Sequence, residues 1–448
     1  MFLSIVLALI FPQNFKIYMA MLVFGLTKRL PTSGSCISNT LRTGRVARYI
    51  TQVTGEKTFF NRKRELTEFE KAFSGDPELH VVLGPPSSGK TSLIREVTTR
   101  GNFKPLFLDC RLGEFDSPTD LYNSISMQFK TFFENRRKLL RETLSEMEIN
   151  AKIPYFSELN FKLFDKKERE ITSSSVRAML NKIARALPNQ NLWKGYNVPP
   201  PIFVIDEANS LNRLGHGSAE GEVLLKTFLD WLVLNTKQAN RFHVVLTSSD
   251  SFFIDWIVNR LHIPHVTQYV VGDLSKEEAE EYFEKHVLPR YGCKELEGKF
   301  DHVSKITGTR MLIIDRYVKE YKNSEGKLTA SNFSVYNSEY LRLRDGLHPR
   351  GFKYSDKPDL PLWTGSELIE TMKALVKAEN QGYILEDDLI NVVGVDKKKI
   401  NSLVDYNFLY RRLSSNFAYD IINPQNRIIL TAMNQPSLRA MEQVLSEQ

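Results

Sequence analysis

The sequence contains little cysteine and no repeats. Three cysteines, Cys36, Cys110 and Cys293, lie far apart among 448 residues. This spacing excludes a disulfide framework and a cysteine-based metal motif, and it favours a reducing compartment. The absence of internal repeats and of long low-complexity tracts excludes solenoid and collagen-like classes. With 42% hydrophobic and 25% charged residues, the chain has the composition of a globular protein of two or three domains.

Acidic residues are also missing from the start of the chain, because none occurs before Glu56. Six of the 60 basic residues lie in that stretch, so 54 basic residues stand against 53 acidic ones in residues 56–448. The formal net charge of +7 therefore comes almost entirely from the first 55 residues. A nearly neutral body gives no support for a large nucleic-acid-binding surface.

The N-terminal segment has two apolar runs, Phe2–Phe11 and Ile17–Leu26, and each is too short to span a bilayer alone. No basic residue precedes the first run, as a secretory signal would require. Residues 19–55 are basic and rich in Ser and Thr, a composition typical of a mitochondrial transit peptide. We therefore expect residues 1–55 to be a mitochondrial targeting segment. The alternatives are a membrane anchor through residues 2–26, or a tail without targeting function on a cytoplasmic protein.

The segment GPPSSGKT, Gly84–Thr91, fits the pattern G-x-x-x-x-G-K-[ST] of a phosphate-binding loop. It follows the apolar run His80–Leu83 and precedes an amphipathic stretch, which predicts strand, loop and helix in that order. Backbone N–H groups of such a loop bind phosphates, while Lys90 reaches the β- and γ-phosphates and Thr91 binds Mg²⁺. The alternative is a plain glycine turn before a helix. The predicted ATP-binding residues here are Gly84, Pro85, Pro86, Ser87, Ser88, Gly89, Lys90, Thr91 and Ser92.

A second element of such a site is an apolar strand that ends in acidic residues, and PIFVIDE at 201–207 supplies it. Asp206 is expected to hold Mg²⁺ together with Thr91. Glu207 is expected to polarise the attacking water as the catalytic base. The predicted cofactors are therefore ATP and Mg²⁺.

The segment HVVLTSS at 243–249 predicts a third buried strand that ends in hydroxyl groups. In P-loop ATPases with an extra central strand, a polar residue at this point senses the γ-phosphate. Ser248 is the predicted sensor, and Thr247 and Ser249 are its rivals. A strand that simply enters a Ser-rich turn is the alternative.

The chain resembles the archaeal-type ATPases of the STAND class, which are related to AAA+ and origin-recognition ATPases. The resemblance covers roughly residues 56–320. It is carried by FFNRKREL at 59–66, PLFLDCR at 105–111, IDEANSL at 205–211 and YVVGDLSKEEAEEYF at 269–283. It implies that Phe60 and Arg62 approach the adenine.

The sequence departs from that family at Gly308–Met311, GTRM, where the family usually has Gly-Gly-x-Pro. This substitution puts Arg310 at the position of an AAA+ sensor-2 arginine, which implies a catalytic role. The arginine that usually follows the fourth strand is not clearly placed, and Arg260 is the nearest candidate.

The order of apolar and amphipathic segments predicts an α/β P-loop NTPase. We expect a parallel five-stranded sheet sandwiched by helices, with strands at His80–Leu83, Pro105–Cys110, Ile202–Asp206, His243–Ser248 and Val266–Val271. The predicted domains are a core at 56–272 with a helical insertion at about 117–190, a helical lid at 273–339, a linker at 340–363 and a winged-helix-like domain at 364–448.

The winged-helix prediction rests on three short helices at 365–378, 385–394 and 396–409, followed by β-like segments at 417–423 and 426–432. Lys397, Lys398 and Lys399 open the third helix, which would be the recognition helix of a DNA-binding domain. A protein-contact or autoinhibitory module is the alternative, and the neutral body of the chain favours it.

Three functions are consistent with these features. The favoured one is an ATP-hydrolysing conformational switch that is read by a protein partner or by nucleotide-dependent self-association. The others are a DNA-associated ATPase and a scaffold that binds ATP without hydrolysing it. The presence of Lys90, Asp206 and Glu207 argues against the scaffold.

Overall fold

The central feature of the fold is a five-stranded parallel sheet in the order β2-β3-β4-β1-β5. The computed structural model describes residues 59–101, 103, 105–146, 171–187, 189, 191, 195, 200–216, 218–261, 266–349, 360–413, 420–421 and 426–448. These residues belong to one compact unit, Phe59–Gln448. The predicted targeting segment, residues 1–55, lies outside them. The strands are β1 Leu79–Leu83, β2 Leu106–Asp109, β3 Ile202–Asp206, β4 His243–Ser248 and β5 Thr267–Val270.

All five predicted strands are confirmed to within one or two residues. Strands β1, β3 and β4 are buried along their whole length, as expected for parallel strands covered on both faces. Strand β4 lies between β1 and β3, so the extra central strand is present. This order brings the carboxyl ends of β1, β3 and β4 together, where ligands bind in open α/β sheets.

Helices cover both faces of the sheet. They are α1 Lys63–Ser74, α2 Lys90–Arg100, α3 Pro118–Glu146, α4 Ser173–Ala186, α5 Ala219–Val233 and α6 Phe253–Leu261. The predicted insertion at 117–190 supplies α3 and α4, whose residues Phe129 and Leu180 belong to the same apolar core as the sheet. Within the described residues, this segment is therefore the packed connection between β2 and β3.

The lid follows β5 and consists of α7 Lys276–Tyr282, α8 Phe300–Thr307, α9 Met311–Asn323 and α10 Ser334–Gly346. The capping box predicted at Ser275 and Glu278 is present: the Glu278 N–H donates to Ser275 Oγ, and the Ser275 N–H donates to Glu278 Oε2. No helix among the described residues combines the length and the apolarity needed to cross a bilayer.

The prediction of a linker from residue 340 was wrong, because α10 continues to Gly346. Leu343 is buried in the lid core, and a Cβ on Gly346 would lie 2.6 Å from the Phe408 ring. Trp363 packs on Phe408 and donates from Nε1 to the Gly346 carbonyl at 2.9 Å. Both ends of the proposed linker are thus anchored by apolar contacts with the C-terminal domain.

The C-terminal domain contains α11 Gly365–Lys377, α12 Glu386–Asn391, α13 Lys397–Asp405 and α14 Gln435–Ser446, with a three-stranded antiparallel sheet in the order β6-β8-β7. Its strands are β6 Ile384–Leu385, β7 Leu409–Leu413 and β8 Ile428–Ala432. Three helices followed by a β-hairpin match the predicted element order, and the winged-helix interpretation itself stays a prediction.

Two details of this domain differ from the sequence prediction. The third helix ends at Asp405 rather than 409, because Asn407 adopts a left-handed conformation (φ 58°) that stops it. The first hairpin strand is therefore Leu409–Leu413, and most of the β-like segment predicted at 417–423 lies outside the described residues. The closing helix α14 was not predicted, although Asn434 caps its first turn.

Candidate nucleotide-binding and hydrolysis site

The loop between β1 and α2 has the backbone shape that phosphate binding needs. Ser87 and Gly89 have positive φ angles of 64° and 92°, which turns successive N–H groups toward one point. A Cβ on Gly84 would lie 2.2 Å from the Val271 carbonyl oxygen, so only glycine fits there. Pro86, Ser87 and Ser92 are exposed, whereas Ser88 is buried.

Lys90 is buried at the first position of α2 and points back into the loop. Its Nζ donates to the carbonyl oxygens of Gly84 at 2.9 Å and Pro85 at 3.1 Å. Burial lowers the pKa of Lys90 to about 8, although the nearby Glu207 and Asp206 carboxylates act to raise it. The ammonium group is therefore held close to the loop carbonyls, where a phosphate would compete for it.

Asp206 is fully buried at the end of β3 and accepts hydrogen bonds from three directions. The hydroxyl of Thr91 lies 2.9 Å from Oδ1 and 3.0 Å from Oδ2, and Thr247 donates to Oδ1. Arg111, which follows β2, donates from Nη2 to Oδ2 at 3.0 Å. The Thr91 hydroxyl and the Asp206 carboxylate thus meet as the hard oxygen ligands that Mg²⁺ prefers.

This pair fits a metal ion that takes most of its ligands from phosphate and water. Among the described residues, no group of three or more His, Cys, Asp or Glu side chains is placed to hold a metal. A P-loop site does not need one, because one hydroxyl and one carboxylate suffice beside the nucleotide phosphates.

Glu207 directly follows Asp206 in a left-handed conformation (φ 51°), which is uncommon for a residue with a side chain. Its Oε2 accepts from Ser249 Oγ at 3.1 Å, and its N–H donates to Thr247 Oγ1 at 3.3 Å. The backbone turn thus separates the two carboxylates, which is compatible with the roles predicted for Glu207 toward water and for Asp206 toward Mg²⁺.

The three hydroxyl residues at the end of β4 do not share one environment. Ser248 Oγ donates to Asn209 Oδ1 at 3.0 Å, while Thr247 contacts Asp206 and Ser249 contacts Glu207. Thr247 and Ser249 therefore each contact one of the two carboxylates, whereas Ser248 contacts an amide. The two rivals of Ser248 are thus the residues that contact the acidic pair, and the assignment of the sensor to Ser248 stays a prediction.

The segment FFNRKREL, residues 59–66, is called the N-terminal box below, and it contacts both the phosphate loop and the lid. Phe60 is buried against Tyr282 and His286, with ring centroids 5.2 and 4.7 Å apart. The buried Arg62 guanidinium donates from Nη2 to the carbonyls of Ser88 and Gly272, both at 2.8 Å.

Arg62 also donates from Nη1 to Glu65 Oε1 at 2.8 Å. The two Nη2 hydrogen bonds of Arg62 thus tie the box to the phosphate loop and to the segment that leads into the lid, while the Nη1 bond lies within the box. Adenine contact by Phe60 and Arg62 stays a prediction.

Arg310 is buried just before α9 and joins three parts of the molecule. It donates from Nε and Nη2 to the Asp273 carboxylate at 2.8 and 3.1 Å, and from Nη2 to the Met433 carbonyl at 3.0 Å. Burial alone would raise the pKa of Asp273, but Arg310, Arg412 and Arg62 hold it below its usual value. Arg310 therefore contacts the segment after β5 and the C-terminal domain.

Arg111 and Asp273 were not predicted as site residues from the sequence. Within the described residues, Arg260, the candidate for the arginine after the fourth strand, does not contact this site. Arg111 stands in the quoted PLFLDCR segment, and its position after β2 was the available signal. Asp273 stands in the segment YVVGDLSKEEAEEYF, but its pairing with Arg310, 37 positions away, had no signal in the sequence. Arg260 pairs with Glu222 of α5, so the structure shows it in a surface ion pair.

Comparisons with known proteins agree with this geometry. A family model described as an ATPase domain predominantly from Archaea matches residues 59–309. The chain belongs to this ATPase family. The match begins at the N-terminal box and ends just before Arg310, so it contains the phosphate loop, β3 and β4. The resemblance to archaeal-type ATPases that was found in the sequence is thereby confirmed.

Relatives of the ATPase include two ATP-binding proteins of Methanocaldococcus jannaschii, each 24% identical. One match covers 59% of this chain and 70% of the relative, and the other covers 76% and 92%. A third relative from that organism, 29% identical, is covered over 60% of its length. A solved Walker-type ATPase of Pyrococcus abyssi aligns with a TM-score of 0.53 at 14% identity, over 86% of this chain and 97% of that one, which shows a shared fold.

Proposed function

We propose that the ATPase binds ATP with Mg²⁺, hydrolyses it, and uses the nucleotide state to control the contact between its lid and its C-terminal domain. Membership of the ATPase family and the ATP-binding relatives support nucleotide binding. The switch rests on the contacts of Arg310.

The contacts of Arg310 are the main support for this proposal. Its guanidinium is shared between Asp273 and the Met433 carbonyl, so one side chain joins the segment after β5 to the C-terminal domain. The next residue, Met311, lies against the phosphate loop, because a Cβ on Gly89 would be 3.8 Å from Met311 Cε. The contacts with Asp273 and Met433 use Nε and Nη2 of Arg310, so a phosphate would either bind through Nη1 or displace one of the two partners. In both cases phosphate binding and the domain contact would share one cation, which would make them thermodynamically linked.

The chemistry follows from the acidic pair. Thr91 and Asp206 would hold Mg²⁺, which neutralises developing charge on the phosphates when it is bound. Glu207 would take a proton from water, and Ser249, which donates to its Oε2, would orient it. Lys90 would transfer its hydrogen bonds from the loop carbonyls to the phosphates.

The test measures both the rate of ATP hydrolysis and the shape of the molecule in solution. Glu207→Gln keeps the size of the side chain and removes the base, so we expect ATP binding to persist while turnover falls by about 100-fold or more. Small-angle scattering of the ATP-bound Glu207→Gln variant should differ from that of the ADP-bound wild type. Hydrolysis at the wild-type rate would show that Glu207 is not the base. Loss of hydrolysis with no change of shape would leave a plain ATPase and refute the switch.

DNA association is not favoured by the C-terminal helix that would read DNA. Lys399 pairs with Glu367 at 2.6 Å and Lys397 lies 3.5 Å from Glu386, so two of the three lysines have acidic neighbours within the domain. A protein partner and nucleotide-dependent self-association stay proposals. Capture of partners by the Glu207→Gln variant in the presence of ATP would test both.

A further inference from the structure

A cavity of about 400 Å³ lies beside the phosphate loop, between the lid and the C-terminal domain. Its size is in the range of small-ligand sites. Charged side chains from three parts of the molecule line it. Among the lining residues are Pro85, Asp273, Arg310, Tyr410, Arg412 and Asp420.

Arg412, on β7, is the buried cation of this cavity that has unused hydrogen-bonding capacity. It is 5% exposed, and its Nη2 donates to Asp420 Oδ2 at 2.9 Å. Its Nε and Nη1 are buried and have no hydrogen-bond partner in the described part of the chain, and neither has Asp420 Oδ1. Buried polar groups are nearly always paired, so two unpaired donors on one guanidinium indicate a missing acceptor.

The position of this ion pair connects it to the nucleotide site. A Cβ on Gly272 would lie 2.1 Å from Asp420 Oδ1 and 3.1 Å from Arg412 Nη1, so the pair rests directly on Gly272. The Gly272 carbonyl accepts from Arg62, whose same Nη2 also donates to the phosphate-loop residue Ser88. Arg412 is thus connected to the loop through two intermediate residues, Gly272 and Arg62.

We infer that Arg412 is a ligand of the nucleotide phosphates, supplied to the site by the C-terminal domain of the same chain. A phosphate oxygen is the kind of acceptor that the free Nε and Nη1 donors require, and guanidinium groups bind phosphates with paired hydrogen bonds. Asp420 is then a counter-ion that competes with phosphate for Arg412. This inference rests on the proposed function, because it needs a nucleotide at the phosphate loop.

The neighbouring residue Arg411 provides a matched control. It lies on the same strand and is equally buried, but its Nε donates to Glu386 at 2.9 Å and its Nη1 to Asp255 at 3.1 Å. Asp255 belongs to α6, so Arg411 attaches the C-terminal domain to the core away from the cavity. Arg411→Gln weakens that attachment and leaves the proposed ligand in place.

The experiment measures dissociation constants of ADP and of a non-hydrolysable ATP analogue, in Mg²⁺, for the full chain. Arg412→Gln should weaken binding by about 10-fold or more, the usual effect of losing hydrogen bonds to a charged group. Arg411→Gln should stay within about 3-fold of wild type, and Arg412→Lys should recover part of the loss. Asp420→Asn should strengthen binding by about 3-fold or more, because it removes the carboxylate that is hydrogen-bonded to the buried cation and competes with phosphate.

These opposite signs separate a phosphate ligand from a structural ion pair, since breaking a merely structural pair from either side would weaken binding. Unchanged affinity in Arg412→Gln, or an equal loss in Arg411→Gln, would overturn the inference while the proposed function stands. If Arg412→Gln does not fold, unchanged or weaker binding in Asp420→Asn would overturn it. Failure of the wild type to bind nucleotide would refute the proposed function itself. Arg412-dependent stabilisation of a Lys90→Ala variant by inorganic phosphate would indicate a separate phosphate ligand and overturn the assignment to the nucleotide.

Discussion

At the scale of single residues, the environment of Lys90 determines what its loss would do. The ammonium group is buried and bonded to the carbonyls of Gly84 and Pro85. Lys90→Ala removes the charge that would pair with the β- and γ-phosphates, so we expect ATP binding to become undetectable by titration calorimetry.

The control for this prediction is Lys226→Ala, which breaks an exposed ion pair with Asp230 and should bind ATP normally. Unchanged ATP affinity in folded Lys90→Ala would refute the assignment of the phosphate loop.

Asp206 allows a second residue-scale prediction that is specific to the metal. Asp206→Asn retains the shape but weakens a hard anionic ligand, so ATP affinity in Mg²⁺ should fall by about 10-fold or more. Affinity in the presence of a chelator should change much less. Titrations with and without Mg²⁺ measure the difference, with Asp230→Asn as the exposed control. An equal loss in both conditions would mean that Asp206 acts on the fold and not on the metal.

At the scale of elements, β1 and β4 are joined by a buried histidine pair that should make stability depend on pH. His80 Nε2 lies 3.2 Å from His243 Nδ1, and both side chains are fully buried. Burial lowers the pKa of His243 to about 4 and that of His80 well below its usual value. Each pKa unit corresponds to about 1.4 kcal/mol, so protonating His243 in the folded state is opposed by about 3 kcal/mol.

Because the folded-state pKa values lie below the unfolded value of 6.5, the stabilisation is complete above pH 6.5 and is lost as the pH falls toward 4. Chemical denaturation between pH 7 and pH 4 should show a smaller decrease in the free energy of unfolding for His243→Gln than for wild type. The exposed His302→Gln should behave as wild type. Equal slopes for wild type and His243→Gln would contradict this prediction.

Elements were predicted from the sequence wherever local signals define them. The strands of the sheet are continuous apolar runs, and the capping box at Ser275 marks the start of α7. The end of α13 and the start of β7 were misplaced because Asn407 carries the helix stop in its backbone conformation. Residues 340–363 were predicted to be a linker because they contain several Gly and Pro residues. The segment also contains Leu343 and Trp363, which are buried in the apolar core.

At the scale of the whole molecule, the role of the first 55 residues is a proposal that fusion can test. If they form a mitochondrial targeting segment, residues 1–55 joined to a fluorescent protein should direct it to mitochondria. Fluorescence in reticular membranes would instead support the anchor through residues 2–26, and diffuse cytosolic fluorescence would support a tail without targeting function. A fusion of residues 56–448 serves as the control and should not enter mitochondria.

The sequence by itself determined the chemistry at the carboxyl ends of the strands. GPPSSGKT and PIFVIDE each contain their functional residues within eight positions, so a local pattern predicts both the element and the role. The strand that separates them was also identified from its apolar run and from the resemblance to ATPases with an extra central strand.

Only the tertiary structure decided how these parts are joined. Thr247 and Ser249, rather than Ser248, donate to the two carboxylates, a contact that requires β4 to pair with β3. Arg310 meets Asp273 and Met433 across 37 and 123 positions of sequence, and Arg412 reaches Gly272 in the same way. Contacts between residues so far apart depend on the packing of whole domains, which no local pattern encodes. The residues of the candidate site could therefore be predicted from the sequence, whereas the contacts that connect the site to the C-terminal domain could not.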